Sequence, residues 1–163
     1  MDSADKDFIN PDMDVTIESL RGARPVDCVK RCTEIAKTKK FKRICVHFGT
    51  NLIPRYSPAR ASDLIIQAIE DIKLIFPESE VTYSCILPKY GDWMLPAISS
   101  INSHVEYSGK SGPKRFRFKT IHHSLNFSKN GLVDPLMFRK DALHLSDDCK
   151  LAFNLNFNFH FGK

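Results

Sequence analysis

In the stretch RKDALHLSDD (139–148) an aspartate stands three residues ahead of a histidine. That spacing lets the Asp141 carboxylate and the His144 imidazole meet within one turn, where a ring that titrates near neutrality can do acid–base work. The competing reading is a loop pair ahead of a helix, which Ser146-Asp147-Asp148 would open with oxygens and negative charge. Other residues of distinctive type stand where elements end: Gly22 in LRGAR, Gly49 and Asn51 in HFGTN, and Asp2–Ser3 beside Met1. Each has an ordinary reading when taken singly. Glycine and asparagine form turns, and Ser3 is a terminal residue. His47, His104, His122 and His123 fall in or at the ends of expected elements and are assigned no chemistry.

What holds these residues is an alternation of strands and helices. The alternating, β-rich DVTIESL predicts a strand at 14–20, and RGAR a turn. Pro25 opens a helix over 25–39, with Val26, Val29, Thr33 and Ala36 at helical spacing and lysines at its end. RICVHF predicts a strand at 43–48. Ser57–Pro58 starts a long helix reaching Phe76, apolar along Leu64, Ile65, Ala68, Ile69, Ile72 and Ile75. VTYSCIL predicts a strand at 81–87, WMLPAISSINSHV a helix at 93–105, and RFRFKTI a strand at 115–121. A long polar loop spans 122–140, and a last helix begins near Ser146. The tail NLNFNFHFGK leaves helix, edge strand and frayed end open. Short apolar strands between amphipathic helices imply a parallel sheet covered on both faces: a three-layer α/β/α, flavodoxin-like single domain over 1–163. Such sheets collect their ligands past the carboxyl ends of the strands, so the scattered residues share one rim.

Composition is that of an ordinary globular domain: 163 residues, 42% apolar and 26% charged. The net charge of +5 is concentrated in KTKKFKR (37–43) and GKSGPKRFRFK (109–119). These runs are solvated ends of elements, or a phosphate-binding patch. Five scattered cysteines, Cys28, Cys32, Cys45, Cys85 and Cys149, predict reduced thiols in the cytoplasm and no metal site. No apolar run has the length of a membrane span, and the acidic start MDSADKDF is not a secretory signal.

Read in order, the blocks DS (2–3), Gly22, GTN (49–51) and DALH (141–144) resemble those of the SGNH (GDSL-like) hydrolases, over nearly the whole chain. VHFGTNL and RKDALHLSDD are the most specific pieces, and ILPKYGDW with INSHV is similar to the family's middle region. The resemblance implies a serine esterase or acyl hydrolase that needs no cofactor. Ser3 then matches the nucleophile, His144 its base and Asp141 the residue that orients the imidazole. The oxyanion hole is matched by the backbone N–H groups of Ser3 and Gly22 and the Asn51 side-chain amide. The implied partner is a small ester or acylated substrate, with no membrane involved. Leu52 stands where an acidic residue is common in the family, and Ala142 where glycine is.

One departure is larger. In the family an apolar strand ending in glycine carries the nucleophile, and here Met1 occupies the glycine's place. In the 2-1-3-4-5 strand order that strand lies inside the sheet, so its loss is expected to cost stability and to leave Ser3 poorly held. Residues 1–163 are therefore expected to be a weakened or inactive esterase. The chain is similar in this to an incomplete hydrolase, or to the SGNH domains of mobile-element open reading frames. The alternative is a non-catalytic SGNH-like module that binds RNA or a protein partner.

Overall fold

A computed structural model describes residues 14–20, 22–88, 94–123, 128–129, 132–133 and 136. Ser3, the Asp141–His144 pair, the helix expected from Ser146, Cys149 and the C-terminal tail lie outside the described residues. The chain divides into two compact units. The larger comprises Gly22–Ile86 with Trp93–His122, and the smaller Met1–Arg21, Leu87–Asp92 and His123–Lys163.

The larger unit carries the expected α/β fold, a parallel sheet of flavodoxin type with helices in its crossovers. Helix α1 (Pro25–Ile35) begins at a proline, which has no N–H to leave orphaned, and the Asp27 carboxylate accepts from the Arg24 backbone N–H at 2.9 Å. Strand β1 (Arg43–Val46) leads to α2 (Pro58–Ile75), whose first turn is capped by Ser57 Oγ accepting from Arg60 N–H at 3.3 Å. Strand β2 (Glu80–Ser84), α3 (Leu95–Ser111) and β3 (Lys119–Ile121) complete the unit. The sheet order is β1-β2-β3, parallel throughout, with Arg43 opposite Glu80 and Thr82 opposite Lys119. Helix α2 packs against both α1 and α3, so α2 and α3 cover the same face of the sheet. The core is an isoleucine-rich seam. Ile65, Ile69 and Ile72 of α2 and Ile101 and Val105 of α3 are fully buried against Val81 and Tyr83 of β2. The helix and strand periodicities meet there: 65, 69 and 72 share one side of a helix, and 81 and 83 one side of a strand.

Several expected boundaries shift. Residues 14–20, expected as a strand, carry no regular secondary structure. Val15 and Ile17 are half-buried while their neighbours are exposed, so the alternation is real, but alternation sets faces and a strand exists only through its ladder. Helix α1 ends at Ile35 rather than Lys39, its last turn tightening through Lys37 N–H to the Glu34 carbonyl and Thr38 N–H to that of Ile35. The strand expected at 43–48 ends at Val46, and that expected at 81–87 spans Glu80–Ser84. Helix α3 runs to Ser111 instead of Val105, continuing through Gly109, where a Cβ would stand 2.8 Å from both the ring and the carbonyl oxygen of Phe118. The strand expected at 115–121 is only its last three residues, preceded by a 3-10 turn at Lys114–Phe116.

In the smaller unit, the loop expected over 122–140 contains a short antiparallel ladder between β4 (Ser128–Lys129) and β5 (Leu132–Val133).

Candidate functional site

The rim of the larger unit is built from the segments that leave β1, β2 and β3. After β1 the chain passes His47 and Phe48 to Gly49, whose φ is 117°. A Cβ at Gly49 would lie 2.7 Å from Ile65 Cδ1 and 3.1 Å from Ile86 Cδ1, so both the backbone conformation and the packing require glycine. The chain then turns into a 3-10 segment, Thr50–Leu52, that buries Leu52 and leaves Asn51 exposed. The Phe48 carbonyl, just ahead of this turn, accepts from the buried Tyr83 hydroxyl at 2.9 Å, anchoring the loop to β2.

Two of the four sequence blocks meet here. The Asn51 side-chain amide donates to the Ala23 carbonyl at 3.5 Å, next to Gly22. Gly22 itself has φ 69°, a left-handed conformation, and nothing lies within 4 Å of where its Cβ would stand. The Gly22 turn and Asn51 therefore occupy one open corner of the unit. The other expected site residues, Ser3, Asp141 and His144, lie outside the described residues, so the proposed triad has no geometry here.

Two polar groupings at the strand ends were given no role in the sequence. His47 Nδ1 lies 3.1 Å from both the Ser84 carbonyl oxygen and Ser84 Oγ. Burial pushes its pKa down to about 4, so the ring is neutral and Nδ1–H can donate to the carbonyl. At the next residue of the chain after Ser84, Cys85 Sγ lies 3.8 Å from His122 Nε2, and that same nitrogen lies 3.0 Å from Glu106 Oε2. The residue types are those of a thiol nucleophile, a base and an orienting acid. The geometry does not serve that chemistry, because thiol and carboxylate compete for one ring nitrogen, whereas a relay divides them between two. Burial pushes the Cys85 thiol up to about 12, which keeps it protonated. Glu106 also pairs with Lys110 at 2.6 Å, and its carboxyl is held below the usual range by that bond and by His122. No group of three or more His, Cys, Asp or Glu among the described residues is arranged to hold a metal ion.

Behind the rim, Asn102 of α3 braces the segment leaving β2. Its Oδ1 accepts from Ile86 N–H at 3.0 Å, and its Nδ2 donates to the Ile86 carbonyl at 2.9 Å. One side chain thus satisfies both backbone groups of a buried residue just past the end of the strand. Asn102 lies in the INSHV stretch of α3.

No family model matches the chain, and no curated protein matches it. Among solved structures, the chain is similar to a carbohydrate esterase family 3 protein from Talaromyces cellulolyticus, with 17% identity and a TM-score of 0.61. The likeness covers 85% of this chain and 67% of that one. At that identity the shared property is the fold.

Proposed function

We propose that the chain is an SGNH-type serine hydrolase acting on a small ester or acylated substrate through an acyl-serine intermediate. Ser3 Oγ attacks the carbonyl carbon as His144 takes its proton, and Asp141 orients the imidazole. The oxyanion is held by the N–H groups of Ser3 and Gly22 and by the Asn51 amide, each donor contributing about 2.7–4 kcal/mol to lowering the barrier. His144 returns the proton to the departing alcohol, and water releases the acyl group by the same steps in reverse. The observation that carries this reading is the meeting of Asn51 with the Gly22 turn at the carboxyl end of a parallel sheet, on a fold shared with a carbohydrate esterase. We place the protein in a reducing, cytoplasmic setting, in keeping with the free thiols of Cys28, Cys32, Cys45 and Cys85. Among the described residues no helix is long and apolar enough to cross a membrane.

Hydrolysis of p-nitrophenyl acetate tests the proposal. Weak turnover is expected from the chain. It should vanish with Ser3→Ala or His144→Ala and fall about a hundredfold or more with Asn51→Ala. Turnover that survives Ser3→Ala, or none at all, overturns the reading.

A further inference from the structure

The end of the sheet opposite the rim has a different chemistry. Each helix runs antiparallel to its strands, so the C-terminal ends of α1, α2 and α3 gather with the starts of β1, β2 and β3. The two basic runs flank β2 there, with Glu80 between them. Phe41 packs edge-on to Phe76 at the end of α2 with ring centroids 5.9 Å apart, the Ser79 hydroxyl donates to the Phe41 carbonyl, and Lys119 pairs with Glu80 opposite Arg43. Residues 37–43 contribute five cations and no anion, and residues 110–119 another five and no anion. The helix dipole accounts for cations such as Lys73 and Lys110 in last turns. It does not account for Lys114 and Arg115, which stand exposed in the turn beyond α3.

Beside those two cations lies a groove of about 350 Å³ between the C-terminal halves of α2 and α3. Its walls include Tyr107, Phe116, Ile66 and Glu70. Tyr107 is 71% exposed, although it is one of the largest side chains on the helix. The Arg115 guanidinium lies over the Phe116 ring, 4.6 Å from its centroid. The solvent-open ring of Tyr107 and the guanidinium stacked on Phe116, with the exposed Lys114 beside them, match two features of one class of ligand: flat bases that stack and a backbone that carries a negative charge per nucleotide. An acidic peptide would use the cations and leave the aromatic faces unused. A bilayer surface offers no stacking partner. Glu70 repels phosphate but can accept from a base amino group, which places bases in the groove and phosphates along its basic edge.

We propose that the groove walled by Tyr107 and Phe116 and edged by Lys114 and Arg115 binds single-stranded nucleic acid. The surface belongs to α2, α3 and the turn after α3 and uses no residue of the esterase rim, so it stands whether or not the chain hydrolyses esters.

Fluorescence anisotropy of a labelled oligo-uridine titrated with the full chain tests this. Binding should weaken steeply with salt, and Lys114→Glu with Arg115→Glu should weaken it and flatten the salt dependence. Tyr107→Ala should weaken it about five-fold or more through lost stacking. Tyr107 and Lys114 are exposed, and unchanged circular dichroism of each variant confirms the fold. Oligonucleotide binding indifferent to all three substitutions overturns the proposal. So does inorganic polyphosphate competing as well as the oligonucleotide while Tyr107→Ala has no effect, which would mean a site for any polyanion. Binding to vesicles of anionic lipid without binding to the oligonucleotide also overturns it, in favour of a membrane surface.

Discussion

His47 follows β1 with its Nδ1 against Ser84, and its burial makes the neutral ring the folded form down to about pH 4. In the unfolded chain the ring titrates near its ordinary 6.5. Between these values the unfolded chain binds a proton that the folded chain refuses, so stability is highest above pH 6.5 and declines as pH falls toward 4. The loss is at most about 3 kcal/mol. Chemical denaturation across that window should show it, and His47→Asn, whose amide nitrogen can reach the Ser84 carbonyl without titrating, should flatten the slope. The carboxylates with lowered pKa, Asp27, Glu80 and Glu106, act below their ordinary range near pH 4, so the two contributions separate. The thiols make a second residue-scale expectation. Burial raises Cys28 to about 11 and Cys45 and Cys85 to about 12. Because the thiolate is the reactive form, alkylation at pH 8 followed site by site by mass spectrometry should be slow in the folded chain and rise about a hundredfold in urea. Rapid labelling of folded Cys85 would show that its contact with His122 activates it after all.

Two contacts decide how α3 sits on the sheet. Asn102 satisfies both backbone groups of Ile86, and replacing it with leucine strands a buried donor and acceptor at about 1–3 kcal/mol each. Asn102→Leu should therefore lower the midpoint of thermal unfolding by several degrees, although leucine is the better helix former. Asn102→Asp should lose one bond and set a carboxylate against a carbonyl. Gly109 poses the opposite question, because alanine favours a helix by about 1 kcal/mol over glycine. The overlap with Phe118 includes a backbone oxygen, which cannot rotate away, and overpacking costs about 1–3 kcal/mol. Gly109→Ala is expected to destabilise in a thermal melt, whereas Ser103→Ala on the exposed side of the same helix should not.

At the scale of the molecule, the parts of the fold legible in the sequence are those governed by local pattern. The 3.6-residue spacing of Ile65, Ile69 and Ile72 and the proline starts at Pro25 and Pro58 located the helices, and the apolar runs before Gly49 and Pro88 located β1 and β2. The run of α3 past Val105 to Ser111 was not legible, because Gly109 answers to Phe118, nine residues on and just ahead of β3. Residues 14–20 alternate as a strand does, yet pairing is a property of two segments. At the site, Gly49 and Asn51 were legible as a turn, and the approach of Asn51 to Ala23 across twenty-eight residues became visible only with the fold. The basic runs were legible as charge, but their place on either side of β2 at one end follows from the antiparallel run of helix and strand, and Tyr107 gave no signal because a lone exposed aromatic has no period.

The two strand pairings have a temporal consequence. Partners in β1–β2 and in β2–β3 are both thirty-seven residues apart along the chain. Loop-closure entropy depends on length, so it gives neither half of the sheet a head start. The order falls instead to the helix inside each loop. Helix α2 has a serine cap and no glycine, while α3 has no side-chain cap and carries Gly109 in its last turn. The β1–α2–β2 half is therefore the earlier nucleus, and β3 docks onto a sheet already formed. That is also the order in which a ribosome delivers the three strands, so synthesis never has to hold an unpaired β3 waiting for its neighbour.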